Sequence, residues 1–444
     1  MSNNKYSSFE KYEFMGEFFA SEDTYATRFP GKVVYDLELG LMLSFNIADA
    51  DFPKQSDVLL GILDNGQKCT LIGPFNFTGS GMRMGKVCTR YGNHGFRFLA
   101  IGEFKVITDL YDHARFTFSH MQEFFCPQGW IDNVKYEDGV IEKIESRDWD
   151  IEVENRANFI DVTHSLNNLL LTNNEDVAKE IIESVNAILS KHEDENLLIR
   201  KTLEFIFKFQ PKEPKNVQDI YDVLYKVTSL FSIFMNIPIF PDEIKLYGAN
   251  NSSVSILASQ SLETRTVELA KSEPSHHFMP INRSAVDLSS CITKWLELYD
   301  NYQVLSTTFQ YETNFRTLHA AYSDIILYLA NVEAIAIDLG THKKSKYMSA
   351  IEKYSSYELV SLLNLRFSKV NSNDLGKNLS DLRGELAHEG RPKKLMKQLD
   401  IGDYVEIGRL LKLVVVSHLL SKLGFEQDAI HDYQRKLIPH TSDS

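Results

Sequence analysis

Cysteine is scarce in this chain. There are four in 444 residues, Cys69, Cys88, Cys126 and Cys291, widely spaced and without a CxxC pair. That argues against a structural zinc site and against a secreted disulfide framework. A reduced, cytoplasmic setting is the simple expectation. Long apolar runs are missing too. The greasiest, Leu410 to Leu420, is interrupted by Lys412 and His418 and falls short of the about 20 residues a membrane span needs. The stretch from Met1 to Phe14 is polar and lacks the apolar core of a signal peptide. No membrane partner is therefore expected. There is no internal repeat and no low-complexity tract. His276-His277 has no Cys or carboxylate at ligand spacing, and Gly79 to Lys86 fails the phosphate-loop pattern because Val87 stands where Ser or Thr is required. No metal and no cofactor is expected.

What remains is an ordinary globular composition, 43% hydrophobic and 24% charged, in a chain long enough for two or three domains. The net charge of −14 is unevenly spread. Residues 286–444 hold 19 Lys+Arg against 20 Asp+Glu, whereas residues 1–285 hold 28 against 41. An acidic front half repels phosphate backbones, so any RNA contact belongs in the back half.

The first 150 residues read as short strands rich in β-branched and aromatic residues: Val33 to Leu39, Leu41 to Ile47, Val58 to Leu63, Cys69 to Ile72 and Phe96 to Ile101. Asp64-Asn65-Gly66 is a hairpin turn signal, because Asn-Gly tolerates positive φ. Phe116-Thr-Phe and the alternation from Trp149 to Glu154 continue the pattern. Glu175–Leu189 and Val217–Phe234 have helical spacing, with Asn174 and Asn216 as caps. From 286 onward only helices are expected: a stripe from Leu318 through Tyr322, Ile325, Leu329 and Val332 to Ala336, then Met348 to Leu365, Asp374 to Glu389, and Asp403 to Leu423, apolar almost all round. The predicted fold is multidomain α+β. It comprises a β-rich α+β domain over 1–265, a linker over 266–285, an all-α bundle of four or five helices over 286–435, and a tail over 436–444.

The sharpest segment runs from Asp374 to Pro392. Leu375, Leu379, Leu382 and Leu386 make a narrow stripe, and Gly390 with Pro392 predicts a helix stop, with Gly390 taking the left-handed conformation. Away from the leucines, Ser380, Gly384 and Ala387 form a floor of small residues flanked by Arg383 and His388. The carbonyls of the last turn favour a protonated His388. An imidazole titrating near neutrality serves as general acid or base, and a guanidinium grips a phosphate through two hydrogen bonds. Arg with His and no metal suits RNA cleavage by its own 2′-hydroxyl. The spacing alone selects nothing, since Arg115/His120 and Arg435/His440 repeat it. Only the middle pair ends an amphipathic helix. Glu385 and Glu389 are candidate auxiliary groups. Arg391, Lys393 and Lys394, with Lys397 and with Lys343, Lys344 and Lys346, are candidate RNA contacts. His418 reads as a hydrogen-bonded core histidine.

Arg383-Gly-Glu-Leu-Ala-His388 resembles the Arg-x4–6-His motif of the HEPN superfamily. The continuation Leu386-Ala-His-Glu-Gly-Arg-Pro392 is similar to its ApeA-like branch, as are Phe14-Met-Gly-Glu-Phe18 and Cys69-Thr-Leu-Ile72 in the front half. The resemblance implies a HEPN bundle acting as a metal-independent endoribonuclease in anti-phage defence (abortive infection). It implies tRNA or other cellular RNA as target, a homodimer or higher homo-oligomer with a composite groove, and a phage protein as trigger of the front half. The chain departs from the family at Gly384, where many HEPN nucleases carry a polar residue, often Asn. That departure keeps a second reading open, a non-catalytic dimerisation or RNA-binding module behind a protein-sensing domain.

Overall fold

The computed structural model describes residues 5–20, 28–48, 55–76, 80–84, 87–125, 139–161, 172–192, 198–249, 252–272, 279–311, 318–342, 345–370, 373–388, 390 and 392–438. Among these, fourteen strands form one antiparallel sheet: β1 (Tyr12–Phe19), β2 (Phe29–Asp36), β3 (Gly40–Ala48), β4 (Gln55–Leu63), β5 (Lys68–Asn76), β6 (Ser80–Met84), β7 (Val87–Gly95), β8 (Phe98–Gly102), β9 (His113–Phe118), β10 (Gly139–Glu145), β11 (Trp149–Asp161), β12 (Leu198–Pro211), β13 (Pro241–Tyr247) and β14 (Ser253–Ala258). Their spatial order is β10-β11-β12-β9-β13-β14-β8-β5-β4-β1-β2-β3-β7-β6. The expected turn at Asp64-Asn65-Gly66 joins β4 to β5. Gly66 has φ of 80° and its amide donates to the Leu63 carbonyl at 2.8 Å, a backbone shape that glycine adopts without strain. Of the stretch Gly79 to Lys86, Ser80–Met84 forms β6, which pairs with β7 so that Met84 stands opposite Val87; Gly79, Gly85 and Lys86 lie outside the described residues.

Helices α1 (Met121–Phe125), α2 (Glu175–Leu189), α3 (Val217–Met235) and α4 (Thr264–Lys271) are set among the strands. Asn174 and Asn216 cap α2 and α3 as expected, accepting from the amides of Asp176 and Asp219. Beyond them come α5 (Leu288–Tyr311), α6 (Leu318–Asp338), α7 (Met348–Tyr354), α8 (Tyr357–Arg366), α9 (Leu375–Ala387), α10 (Ile401–Leu423) and α11 (Gln427–Leu437). The described bundle thus has seven helices rather than four or five. The run from Met348 to Leu365 is broken at Ser355-Ser356, where the Ser356 hydroxyl caps α8 by accepting from the Leu359 amide. The expected stripe on α6 is buried at Ile325, Leu329, Val332 and Ala336. That helix has the length and composition of a membrane span over Ala320–Asp338, yet it packs along α10 as a core helix does. α10 starts in a capping box of Asp400 and Asp403, ends at Gly424 with φ of 102°, and is buried nearly all round.

Two large cores result, beside a small cluster of Leu37, Phe240, Leu262, Val267 and Ala270. One is formed by β1–β5 and β8 with Leu257, around Phe18, Phe29, Phe45, Phe75 and Phe96. The other runs without a break from the sheet through α3 into the bundle, from Phe116 and Phe207 through Phe231 to Trp295, Leu329, Leu379 and Val414. The stretch 266–285, read as a linker, is tied down where it is described: Ala270, Met279 and Ile281 are buried.

Candidate active site

The helix that carries the motif is built as its sequence directs. Asp374 caps α9 by accepting from the Lys377 amide at 3.0 Å. Leu375, Leu379 and Leu382 are buried, and Leu386 packs against the same core. The helix ends at His388, where its sequence places the stop, but not through a left-handed Gly390. Gly390 is not among the residues with positive φ; instead His388 is the C-cap, in an extended conformation (φ −127°, ψ 109°). Lys393 folds back over the open end. Its ammonium donates to the His388 carbonyl at 2.9 Å and to the Glu385 carbonyl. A cation is favoured at this negative pole of the helix, and here it is Lys393 that takes the place offered to the His388 ring.

Arg383 is held across to α6. Its Nη1 lies 2.5 Å from Oε2 of Glu333 and 3.4 Å from the Tyr347 hydroxyl. The other oxygen of Glu333 is shared by His342 Nε2 at 3.0 Å and Lys346 Nζ at 3.2 Å. Burial works against ionisation of Glu333, but His342, Lys346 and Arg383 together hold its carboxyl below the ordinary glutamate value. Only Nη1 of Arg383 is engaged among the described residues, which leaves the Nε–Nη2 edge without a protein partner. That edge is the one suited to gripping two phosphate oxygens. His388 is exposed, and its imidazole has no hydrogen-bond partner among the described residues. No bond joins the two motif residues directly. Ser380 and Ala387 are exposed and Gly384 half-buried, so the floor of small residues between them is open.

Other candidates fall elsewhere. Glu385 is buried, and its carboxylate accepts from the amides of Leu395 and Met396 at 3.0 Å. It anchors the loop after α9. Lys393 closes the helix end, whereas Lys394 and Lys397 are exposed. Glu389, Arg391, Lys343, Lys344 and His276-His277 lie outside the described residues. His418 is a core histidine as expected. Its Nδ1 is 3.0 Å from the Tyr302 hydroxyl, and burial first, then Lys422, pushes its pKa down to about 4. The rival Arg115/His120 spacing is not a pair, since Arg115 bonds Glu154 and His120 Nε2 lies against the Ala270 carbonyl. The sequence reading missed Glu333, His342 and Tyr347. Their one local signal is polar side chains on and just after an otherwise apolar helix. Among the described residues no group of three potential ligands is placed to hold a metal ion.

Residues 13–295 match the family model of the ApeA N-terminal domain 1, and residues 313–429 match that of the Apea-like HEPN domain. The stretch between the two matches falls inside and just beyond α5. No curated protein and no solved structure matches the chain.

Proposed function

The chain belongs to the ApeA-like HEPN proteins of anti-phage defence, and on that premise we propose that it is a metal-independent endoribonuclease acting on tRNA or another cellular RNA. The observation that carries this reading is the state of Arg383. It is fixed in place through one nitrogen by Glu333, while no described residue bonds the edge that fits a phosphate, on the helix that ends at an exposed imidazole.

Cleavage by the internal 2′-hydroxyl needs two proton transfers and stabilisation of charge on the phosphoryl oxygens. His388 exchanges the proton with the 2′-oxygen or with the leaving 5′-oxygen. The 2′-oxygen attacks phosphorus, the P–O5′ bond breaks, and the 5′-oxygen departs as a hydroxyl. Arg383 binds the scissile phosphate through Nε and Nη2. The products carry a 2′,3′-cyclic phosphate and a 5′-hydroxyl. One motif supplies one imidazole, so a homodimer pairing two motifs in one groove would furnish both acid and base. Exposed Lys394 and Lys397 stand near the helix end to meet an RNA backbone. The acidic β-rich half would respond to a phage protein, and the setting would be the cytoplasm.

A second reading has its own observation. Gly384 follows the arginine, and Arg383 is already in an ion pair. A non-catalytic HEPN module used for dimerisation or RNA binding would look the same. Induced expression with and without phage challenge, beside Arg383→Ala and His388→Ala, separates the two. Discrete RNA fragments from the wild type, lost in both folded variants, support the nuclease. Identical RNA in all three supports the module.

A further inference from the structure

Strand β9 divides its side chains between two environments. Ala114, Phe116 and Phe118 are buried in the core shared with α3, while His113, Arg115 and Thr117 lie on the opposite face. Register places Lys208 of β12 on one side of Arg115 and Lys245 of β13 on the other. Three cations in one row across adjacent strands repel one another. Carboxylates offset part of this, Glu152 at Lys208 and Glu154 at Arg115.

Beside the row is a cavity of about 120 Å³, walled by Lys5, Arg115, Glu243, Lys245, Tyr247 and Ser255 among others. Three of the four charged residues in its wall are cations. Arg115 gives Nη2 to Glu154 at 3.1 Å, yet its Nε is buried without a partner among the described residues. A buried donor left unmade is costly and asks for an acceptor. The Arg115 guanidinium and the Lys245 ammonium lie 5.9 and 5.6 Å from the Tyr247 ring centre, and His113 stacks on the same ring at 4.4 Å. Burial first, then Lys208 and Arg115, lower the pKa of His113 against the pull of Asp112 and Glu154. β13 is irregular at this point. Its register shifts between Asp242 and Lys245, and Glu243 has φ of 44°, a conformation that is strained for a non-glycine residue and is held by its surroundings. The outer wall is a separate strap. Lys5 bridges Glu204 and Glu243 at 3.0 and 3.3 Å, and Asp242 holds Ser7 and Ser8 beside it.

We propose that this cavity in the β-rich half binds a phosphate-bearing small molecule, with the phosphoryl group between Arg115 and Lys245 and Lys5 closing over it. A phosphate dianion offers acceptors in several directions, which suits a guanidinium edge, an ammonium and the Ser255 hydroxyl together. The volume is many times the ~10–15 Å³ that one water requires, but small beside a ~300–1,000 Å³ ligand pocket. It admits a phosphoryl group, so the remainder of any larger ligand lies outside. The site is independent of Arg383 and His388.

The test uses the full chain and follows melting temperature and calorimetric binding in inorganic phosphate, in adenosine 5′-monophosphate, and in chloride of equal ionic strength. A saturable rise over chloride is expected in the wild type and in Arg383→Ala, and its loss in Arg115→Met and Lys245→Gln. Circular dichroism checks that these two remain folded. A rise tenfold more sensitive to the nucleotide than to phosphate identifies a nucleotide ligand, and equal sensitivity identifies phosphate itself. No rise with either ligand overturns the proposal. So does a rise that survives in both cavity variants, or one that Arg383→Ala abolishes, since that binding belongs to the motif helix.

Discussion

Glu333 of α6 and Arg383 of α9 are joined by an ion pair of 2.5 Å, and the same carboxylate gathers His342 and Lys346. One acidic side chain thus fixes a guanidinium and draws two further cationic groups toward the motif helix. The pair persists while Glu333 is ionised. Its carboxyl is held below the ordinary value, so the stabilisation is full above the unfolded glutamate pKa and is lost as pH falls through the folded one.

Replacing Glu333 therefore tests positioning rather than chemistry. Glu333→Gln keeps the size and one acceptor but releases the charge. In single-turnover RNA cleavage it is expected to lower the rate about tenfold, the scale of one charge-assisted hydrogen bond. Arg383→Ala removes the stabilising donor itself and is expected to cost about 10²–10³. In the double variant the two losses should not add, because the residues act as one unit. A rate unchanged by Glu333→Gln would show that the ion pair is incidental to the reaction.

The local features of this site were legible in the sequence, and its long-range ones were not. The Asp374 cap, the leucine stripe and the hairpin at Asp64-Asn65-Gly66 depend on neighbours within a few positions, and periodicity reports those. Glu333 stands fifty residues before Arg383, and no spacing rule links them. Glu385 flanks the leucine stripe much as Arg383 does on the other side, so the helix wheel alone cannot say which is buried. The amides of Leu395 and Met396 decide it. β12 escaped the sequence reading although Phe205, Phe207 and Phe209 alternate in it. The run stands between two helical segments, and its partners β11 and β9 come from earlier in the chain.

The metal-free mechanism has a direct check. Cleavage should be unaffected by EDTA, and a substrate with a 2′-deoxy sugar at the cut site should remain intact. Product ends analysed by mass spectrometry should carry the cyclic phosphate. Cutting of the deoxy substrate, or loss of activity on chelation, would rule out attack by the internal hydroxyl or reveal a metal requirement.

Glu385 distinguishes a structural carboxylate from an auxiliary catalytic one. Buried and bonded to two amides, it should stabilise the loop that carries Lys393. Glu385→Ala is expected to lower stability by about 2–3 kcal/mol, the range for a buried charge-assisted bond whose donors lose their partner. Cleavage measured well below the melting temperature should change only a few-fold. A fall of a hundredfold with unchanged melting would place Glu385 in the chemistry.

His418 gives the bundle a pH dependence. It is neutral in the fold, with its pKa lowered from 6.5 to about 4 by burial. Between those values the unfolded state binds the proton more readily, so stability is full above about 6.5 and falls as pH drops toward 4. The loss amounts to on the order of 2–3 kcal/mol. Denaturant melts of wild type and His418→Phe at pH 7 and pH 5 should show the wild type losing more of its stability on acidification. Parallel losses in both would mean that another group controls acid sensitivity.

The last expectation concerns cutting the chain at the expected boundary. The bundle is bolted to α3 and the segment that follows it: Trp295 Nε1 donates to the Lys226 carbonyl at 2.7 Å, Gln310 Nε2 to the Ile239 carbonyl at 3.1 Å, and the Tyr433 hydroxyl to the Ile233 carbonyl at 2.9 Å. Leu288, Ile292 and Trp295 are completely buried in a core continuous with Leu224, Val227 and Phe231. A fragment 286–444 exposes that seam. Uncovering one large apolar side chain costs about 1.5–3 kcal/mol, so several exhaust the ~5–15 kcal/mol that holds a domain together. The fragment is expected to aggregate or to melt without cooperativity, whereas the full chain, which keeps this seam covered, should elute as a defined species. A harmless fragment 286–444 would then say nothing against a nuclease. A monodisperse, cooperatively melting fragment 286–444 would instead show that α3 and α5 meet as an interface between two units that fold separately.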